Sequence, residues 1–341
     1  MTAAALDPAL RRLPPMDLAE LLERAALQTR RDRKYLLPLG SVRALLDRLA
    51  PDTRVLEIDG RRSFGYRSLY FDTPDLLGYR LTALRRRVRF KVRTRLYEES
   101  GECWLEVKTP GSRENTVKWR LPHDPAARTT LGAGRSFVDE VLAGHRVPDA
   151  RHLTLVPTLT TRYDRATLYL PASGSRVTVD TDLLWDDGAH ALRRPRLAVV
   201  ETKTGSSPSA MDRLLWRAGH RPVRVSKYAT GLAALRPELS AVPWRRVLRR
   251  HLAEADAGRL PGPGEREPAG RAEEFTEGFA AGPVGEFVEE HAGELVSGGA
   301  RAAGAAHGAR AARFAPAAGA PRPAAHSPVV VTEGGRTHGQ G

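Results

Sequence analysis

Between about Arg30 and Tyr228 most of the chain runs in segments of four to eight residues in which apolar and polar side chains alternate, separated by Gly, Pro, Asp and Asn. A period of two predicts β-strands with one packed and one polar face. Helical spacing is confined to a few places. Residues 16–27, MDLAELLERAAL, repeat apolar side chains at that period. A second helix is predicted from Ser41 to Ala50, stopped by Pro51, and a short third from Ser136 to Gly144. A fourth starts with Ser207 as N-cap and Pro208 at the first helical position and continues through AMDRLLWRAG. A basic fifth, WRRVLRRHL, lies between about Pro243 and Ala253. From about Ala257 the composition turns to Ala, Gly, Pro and Glu without a periodic apolar pattern, which predicts a disordered tail. The expected organisation is a helical segment over 1–29, a strand-rich α+β domain over 30–252 and a tail over 253–341.

The polar faces of the predicted strands carry the chemistry. In RRRVRFKVRTRLY one parity holds Arg85, Arg87, Arg89, Lys91, Arg93 and Arg95, and the other Val88, Phe90, Val92, Thr94 and Leu96. Later segments repeat the arrangement. Glu106 and Lys108 oppose Cys103, Leu105 and Val107; Lys118 and Arg120 oppose Val117, Trp119 and Leu121. Arg165 shares a face with Tyr163 and Thr167, Arg176 with Thr178, Asp180 and Asp182, and Glu201 with Val199 and Lys203. A merely solvated sheet face mixes signs with Ser, Thr and Gln. Six cations on one strand face repel one another without a counter-charge. The pattern therefore predicts a basic β-surface for a polyanion, with Arg85 to Arg95 pointing into a lumen and Val88, Phe90 and Val92 packing outward.

Charge distribution sharpens this picture. The net charge is +14, but the chain from Ala253 onward holds 8 Arg against 12 Asp and Glu, so residues 1–252 carry +18. Such a surface attracts nucleic acid, anionic lipid or phosphate compounds. Only six of the 54 basic residues are lysines: Lys34, Lys91, Lys108, Lys118, Lys203 and Lys227. All six lie in or beside strand-like segments, as expected where a compact point charge is required. The single cysteine, Cys103, excludes an intramolecular disulfide and a cysteine-based zinc cluster, and its parity places it in the core. The N-terminus lacks a signal-peptide layout, and no apolar run approaches the roughly 20 residues of a membrane helix. A cytoplasmic location is the expectation.

Few aromatics accompany the cations, Trp104, Tyr97 and Tyr163 being the main ones, which argues against nucleic acid as the polyanion. Glu106, Asp180, Asp182 and Glu201 stand among the cations, as suits a divalent metal bridging carboxylate and phosphate. A phosphoryl-transfer site fits best.

At these residues the sequence resembles the vacuolar transporter chaperone (VTC) domain, the polyphosphate polymerase branch of the CYTH triphosphate-tunnel superfamily. The resemblance runs from about Arg30 to Leu235 through nine ordered motifs: DRKYLL, SLYFDT, KVRTRLY, LEVKT, TVKWRL, TTRYDRATLY, RVTVDTDL, VVETKTG and RVSKYATG. It implies an eight-stranded antiparallel β-barrel with flanking helices, a triphosphate tunnel. It also implies transfer of the γ-phosphate of ATP to a growing inorganic polyphosphate chain, with Mn²⁺ or Mg²⁺ as cofactor. Catalytic roles would fall to Arg93, Arg95, Lys108 and Arg165, and phosphate binding to these four with Lys34, Lys91, Lys118, Arg176, Lys203, Arg224 and Lys227. Glu201 would hold the metal. The implied partners are ATP and polyphosphate, with room for a membrane-protein partner. Two departures stand out. Arg224 occupies a position where the family usually has lysine. The first strand reads Arg30, Asp32, Lys34, where hydrolase and cyclase relatives carry Glu-x-Glu-x-Lys, which favours the polymerase branch. A triphosphatase or cyclase of the same fold, and a non-catalytic polyphosphate or inositol-phosphate sensor, remain as alternatives.

Overall fold

The computed structural model describes residues 6–24, 31–111, 116–252 and the backbone of 329–333. In chain order the elements begin with helix α1 (Asp7–Arg11), strand β1 (Pro15–Met16), helix α2 (Leu18–Arg24), strand β2 (Arg31–Pro38) and helix α3 (Leu39–Leu46). Strands β3 (Arg54–Leu56) and β4 (Phe64–Asp72), helix α4 (Leu77–Ala83), and strands β5 (Lys91–Tyr97), β6 (Cys103–Pro110) and β7 (Thr116–Pro122) follow. Then come α5 (Arg135–Gly144), β8 (Val156–Leu170), β9 (Ser175–Asp186), β10 (Ala191–Arg194), β11 (Leu197–Thr204), α6 (Ala210–Arg217) and α7 (Lys227–Leu235). A turn of helix α8 (Arg245–Val247) continues as a wider π-type turn over Leu248–Leu252, and β12 (Val329–Glu333) is last.

Eight of the strands form one antiparallel succession, β7-β6-β5-β4-β8-β9-β11-β2. The number and direction agree with the barrel implied by the resemblance, but closure does not. Among the described residues β2 and β7 share no ladder. The outer edge of β7 is instead taken by β12, with Val331 opposite Lys118, so its backbone groups are satisfied there. The sheet nevertheless curls far enough for Lys34 of β2 and Lys118 of β7 to line one cavity. Pairing of 329–333 also narrows the expectation for the tail; residues 253–328 and 334–341 lie outside those described.

Alternation places the cores. Outward-facing Tyr35, Leu37, Leu168, Val177, Val179 and Val200 bury against Leu10 of α1, Val42 and Leu45 of α3, and Met211 and Leu215 of α6. Around the curve, Val92, Leu105 and Val107 pack against Phe137, Val138, Val141 and Leu142 of α5. Cys103 is free and buried, as its parity requires. At roughly 25 cal/mol per Å² of buried apolar surface, such packing stabilises the helices on the outer face of the sheet.

The inner face is divided. At one end the same strand faces that bear cations carry Leu36, Leu183, Trp185 and Val199, which pack with Tyr228, Ala229 and Leu232 of α7. A bulge in β9 makes this change possible. Asp164 pairs with Thr181 but Arg162 with Leu184, leaving one extra residue on β9, and Asp182 has φ +49°. After it Leu183 and Trp185 face inward. Asp182 is pushed outside, where it pairs with Arg193, contrary to its expected place beside Asp180. Helix α7 approaches β9 closely: a Cβ on Gly231 would overlap the Trp185 indole, whose Nε1–H donates to the Lys227 carbonyl at 2.8 Å. Asp72, fully buried, accepts from the backbone N–H groups of Gly78 and Tyr79 and from the Tyr228 hydroxyl, tying β4, α4 and α7 together.

Four expectations shift. The fourth helix is capped by Ser209, not Ser207, because Ser209 and Asp212 form a reciprocal capping box. Helices α4 and α7 have no counterpart in the sequence pattern; α7 is buried all round, so it shows no amphipathic stripe. Lys227, expected beside a strand, is the first residue of that helix. The strand expected from Arg85 begins only at Lys91. Helix α4 ends at Ala83, and Arg85 turns the chain at φ +56°. Arg85, Arg86 and Arg87 are therefore exposed, outside the lumen.

Candidate functional site

The inner faces of β2, β4, β5, β6, β7, β8, β9 and β11, with residues 225–227, surround a cavity of about 400 Å³, a ligand-sized cleft. Among the described residues twelve cationic side chains line it: Lys34, Arg89, Lys91, Arg93, Arg95, Lys108, Lys118, Arg120, Arg165, Arg176, Lys203 and Lys227. Among the described residues Glu201 is the one carboxylate in that lining. The structure thus brings together every residue to which the sequence assigned phosphate, except Arg224, which is exposed and not part of the lining. Its neighbours Val225, Ser226 and Lys227 reach the cavity instead.

Three charge arrangements can be distinguished. The first is a row of lysines directly opposite one another on adjacent strands: Lys91 faces Lys108, and Lys108 faces Lys118. Like charges in such positions are destabilising. Burial, then Lys108, Lys34, Arg89 and Arg93, push the Lys91 ammonium down to about 7.

The second is made of buried pairs. Arg93 donates from Nε to Glu106 at 2.6 Å and from Nη1 to the Tyr70 hydroxyl at 3.0 Å. Arg165 holds Asp180 through two bonds of 2.6 and 2.8 Å, and the Lys227 ammonium contacts the same carboxylate. Burial alone would push both carboxyl groups up. For Glu106 the charges of Arg93, Arg95, Lys118 and Lys108 outweigh it and hold the group well below its usual range. Arg165 and Lys227 likewise outweigh burial at Asp180 and lower its pKa. Both acids are 0–1% exposed and stand behind the cavity wall. The sequence reading grouped them with metal-bridging acids; here they are counter-ions that fix arginines.

Third, Glu201 lies 3.3 Å from Lys34 and 3.5 Å from Lys203, which also contacts Asp32 at 3.5 Å. Among the described residues no group of three or more His, Cys, Asp or Glu could enclose a metal. The donors present suit a hard divalent ion bound through one or two carboxylates and completed by phosphate oxygens and water. Such an ion would compete with Lys34 and Lys203 for Glu201.

Aromatic rings complete the wall. Tyr66 stacks on Tyr163 with centroids 5.4 Å apart, and the guanidinium groups of Arg95 and Arg165 lie 5.4 and 5.1 Å from the Tyr66 ring. Arg95 donates to the Tyr163 hydroxyl at 2.9 Å, and Arg120 stacks over Trp104 at 4.5 Å. Arg120, Tyr66 and Tyr70 were not singled out as site residues from the sequence. Their alternation in FGYRSLY and TVKWRL was the available signal.

The model of the VTC domain family matches residues 29–236 of this chain. The chain belongs to the VTC domain family. No curated protein matches the chain. Solved structures similar to this VTC-domain protein include a candidate adenylate cyclase from Bacillus halodurans (15% identity, 58% of this chain and 94% of that one, TM-score 0.39). A candidate adenylyl cyclase from Hippeastrum with a dominant triphosphatase activity is 20% identical over 58% of this chain and 93% of its own, with a TM-score of 0.36. An inorganic triphosphatase is 14% identical over 54% and 84%, with a TM-score of 0.23. Likeness of this degree says nothing about the reaction. No described helix is long and apolar enough to cross a membrane.

Proposed function

We propose that this cavity binds the triphosphate of ATP together with the end of an inorganic polyphosphate chain and transfers the γ-phosphoryl group between them. The observation that carries the reading is the row Lys91, Lys108 and Lys118, set opposite one another within a lining that holds, among the described residues, twelve cations and one carboxylate. A lumen with this excess of positive charge is complete only with a polyanion in it.

Phosphoryl transfer needs in-line alignment of the attacking and leaving oxygens and neutralisation of the charge that develops on them. Arg93, Arg95 and Arg165 are held rigid by Glu106, Tyr163 and Asp180 and so present fixed donors toward the lumen. Lys34, Lys91, Lys108, Lys118, Arg176, Lys203 and Lys227 supply the remaining phosphate contacts. Glu201 would hold Mn²⁺ or Mg²⁺, which when bound supplies Lewis-acid stabilisation of the transferring group. The attacking phosphate is already anionic and needs no base. That favours transfer to phosphate over transfer to water, because the one lining carboxylate among the described residues is engaged by two lysines.

Incubation with ATP and Mn²⁺ tests the reading. Long chains resolved on a gel are expected. Release of free phosphate alone would assign a triphosphatase, cyclic nucleotide a cyclase, and tight polyphosphate binding without turnover a sensor.

A further inference from the structure

Six cations alternate from Arg85 to Arg95, yet the structure uses them in two ways. Lys91, Arg93 and Arg95 lie on β5 and line the cavity, as does Arg89 just before it. Arg85, Arg86 and Arg87 stand on the turn that follows α4, exposed to solvent, next to Leu84 at 61% exposure. Thr82, at the end of α4, also lines the cavity, so this turn leaves the cavity wall at Thr82 and rejoins it at Arg89. Backbone bonds from Arg86 N–H to the Leu81 carbonyl and from Arg89 N–H to the Arg86 carbonyl hold its shape. Among the described residues none of the three arginines pairs with a carboxylate. Arg85 keeps a left-handed backbone that a non-glycine residue adopts only where the surroundings impose it.

We infer that Arg85, Arg86 and Arg87, on the turn that leaves the cavity wall after Thr82 and rejoins it at Arg89, form an outer binding station for a linear polyphosphate longer than the cavity can enclose. This rests on the reading of the cavity as a triphosphate and polyphosphate site, and adds to it the place where the chain emerges and the length of ligand recognised. A triphosphate is satisfied by the internal cations alone. A long chain, carrying about one charge per phosphate, continues past Arg89 and releases further counter-ions at the three arginines. The protein would therefore discriminate by chain length: affinity for long chains exceeds that for tripolyphosphate, and its extra part is strongly salt-dependent.

The test compares tripolyphosphate with a polyphosphate of several tens of residues, without nucleotide or metal, on the full chain. The variant is Arg85→Asn, Arg86→Gln and Arg87→Gln together, with Asn chosen for the left-handed position. The control is Arg245→Gln, Arg246→Gln and Arg249→Gln, exposed arginines elsewhere. The triple variant should keep tripolyphosphate affinity within about twofold and lose about tenfold or more for the long chain. The slope of log affinity against log salt should fall by about 2, at roughly 0.7 per lost contact. Equal losses for the two ligands, or an equal loss in the control, would overturn the inference. So would an unchanged long-chain affinity accompanied by lost sedimentation with phosphatidylserine vesicles, which would assign the turn to a lipid surface. If tripolyphosphate fails to bind the unaltered protein, the cavity reading falls and takes this inference with it. If it binds but the long chain is held no tighter, only this inference falls.

Discussion

The lysine row and the arginine–carboxylate pairs sit on the same curved face, and they treat charge in opposite ways. Lys91, Lys108 and Lys118 stand opposite one another across three strands. Arg165 and Lys227 share the buried carboxylate of Asp180, as Arg93 and Lys118 share that of Glu106. The pairs are self-sufficient, so they order the wall in the absence of a ligand. In the row like charges stand opposite one another at a cost that an anion against it would relieve, with Lys118 reaching Glu106 at 3.9 Å.

Breaking the two arrangements should give different signatures. The largest effects are expected in turnover. Glu201→Gln keeps shape and removes charge, and should lower Mn²⁺-dependent product formation by about 10² to 10³, the scale of losing a main electrostatic contributor. Metal-free polyphosphate affinity should be kept or tightened. Normal turnover in this variant would defeat Glu201 as the metal ligand. Lys108→Ala, in the row, should also slow turnover about 10²-fold or more while leaving the protein folded.

Stability effects come next. Asp180→Asn leaves Arg165 and Lys227 buried without their anion, and Arg93→Ala removes the hydrogen-bonded partner of the buried Glu106. Each should cost about 3–5 kcal/mol, read as a lowered urea midpoint. A midpoint unchanged in both would mean that the pairs are not the scaffold described here.

A smaller effect separates the row by pH. The Lys91 ammonium, near 7 rather than 10.5, is largely neutral at pH 8 in the free protein. Since its folded value is depressed, its destabilising contribution is fully present below about 7 and is relieved as pH rises from there towards 10.5. A bound polyanion restores the charged form. Binding at pH 8 should therefore take up close to one proton more in the unaltered protein than in Lys91→Gln, by calorimetry in buffers of different ionisation enthalpy. Equal uptake would remove Lys91 from the site. The smallest effect is on the free protein: Lys108→Ala should leave its stability unchanged or raise it by up to about 1 kcal/mol, since a like-charge opposition is relieved. A loss above 1 kcal/mol would place Lys108 among the structural cations.

Parity along the strands was the legible part of this molecule. It placed Lys108, Lys118, Arg165, Arg176 and Lys203 in one cavity and Leu105, Val107, Val177 and Val179 in the outer layers, because side-chain alternation is local and needs no partner to be known. What it missed depends on contacts far apart in sequence. Helix α7 has no amphipathic pattern because it is enclosed on every side, and its position decides which part of the inner face is dry. The bulge at Asp182 breaks the alternation without a glycine to announce it. Arg85 to Arg87 obey the strand period, but α4 consumes the preceding residues and turns the chain away. Nothing in local sequence could tell Glu106 and Asp180 from Glu201, since all three are acids among cations. Only the distances separate the clamped carboxylates from the one facing the lumen.

Gly231 gives the charge at Lys227 a mechanical origin. With no Cβ, it lets α7 lie against the Trp185 indole, and Lys227 is one helical turn before it. The depth of a helix is thereby set by an absent methyl group, and the position of an ammonium by the depth of the helix. A side chain at 231 would act as a shim: it would lift the helix, loosen Trp185 from the Lys227 carbonyl, and draw the ammonium back from Asp180. In this lumen, electrostatics is calibrated by thickness.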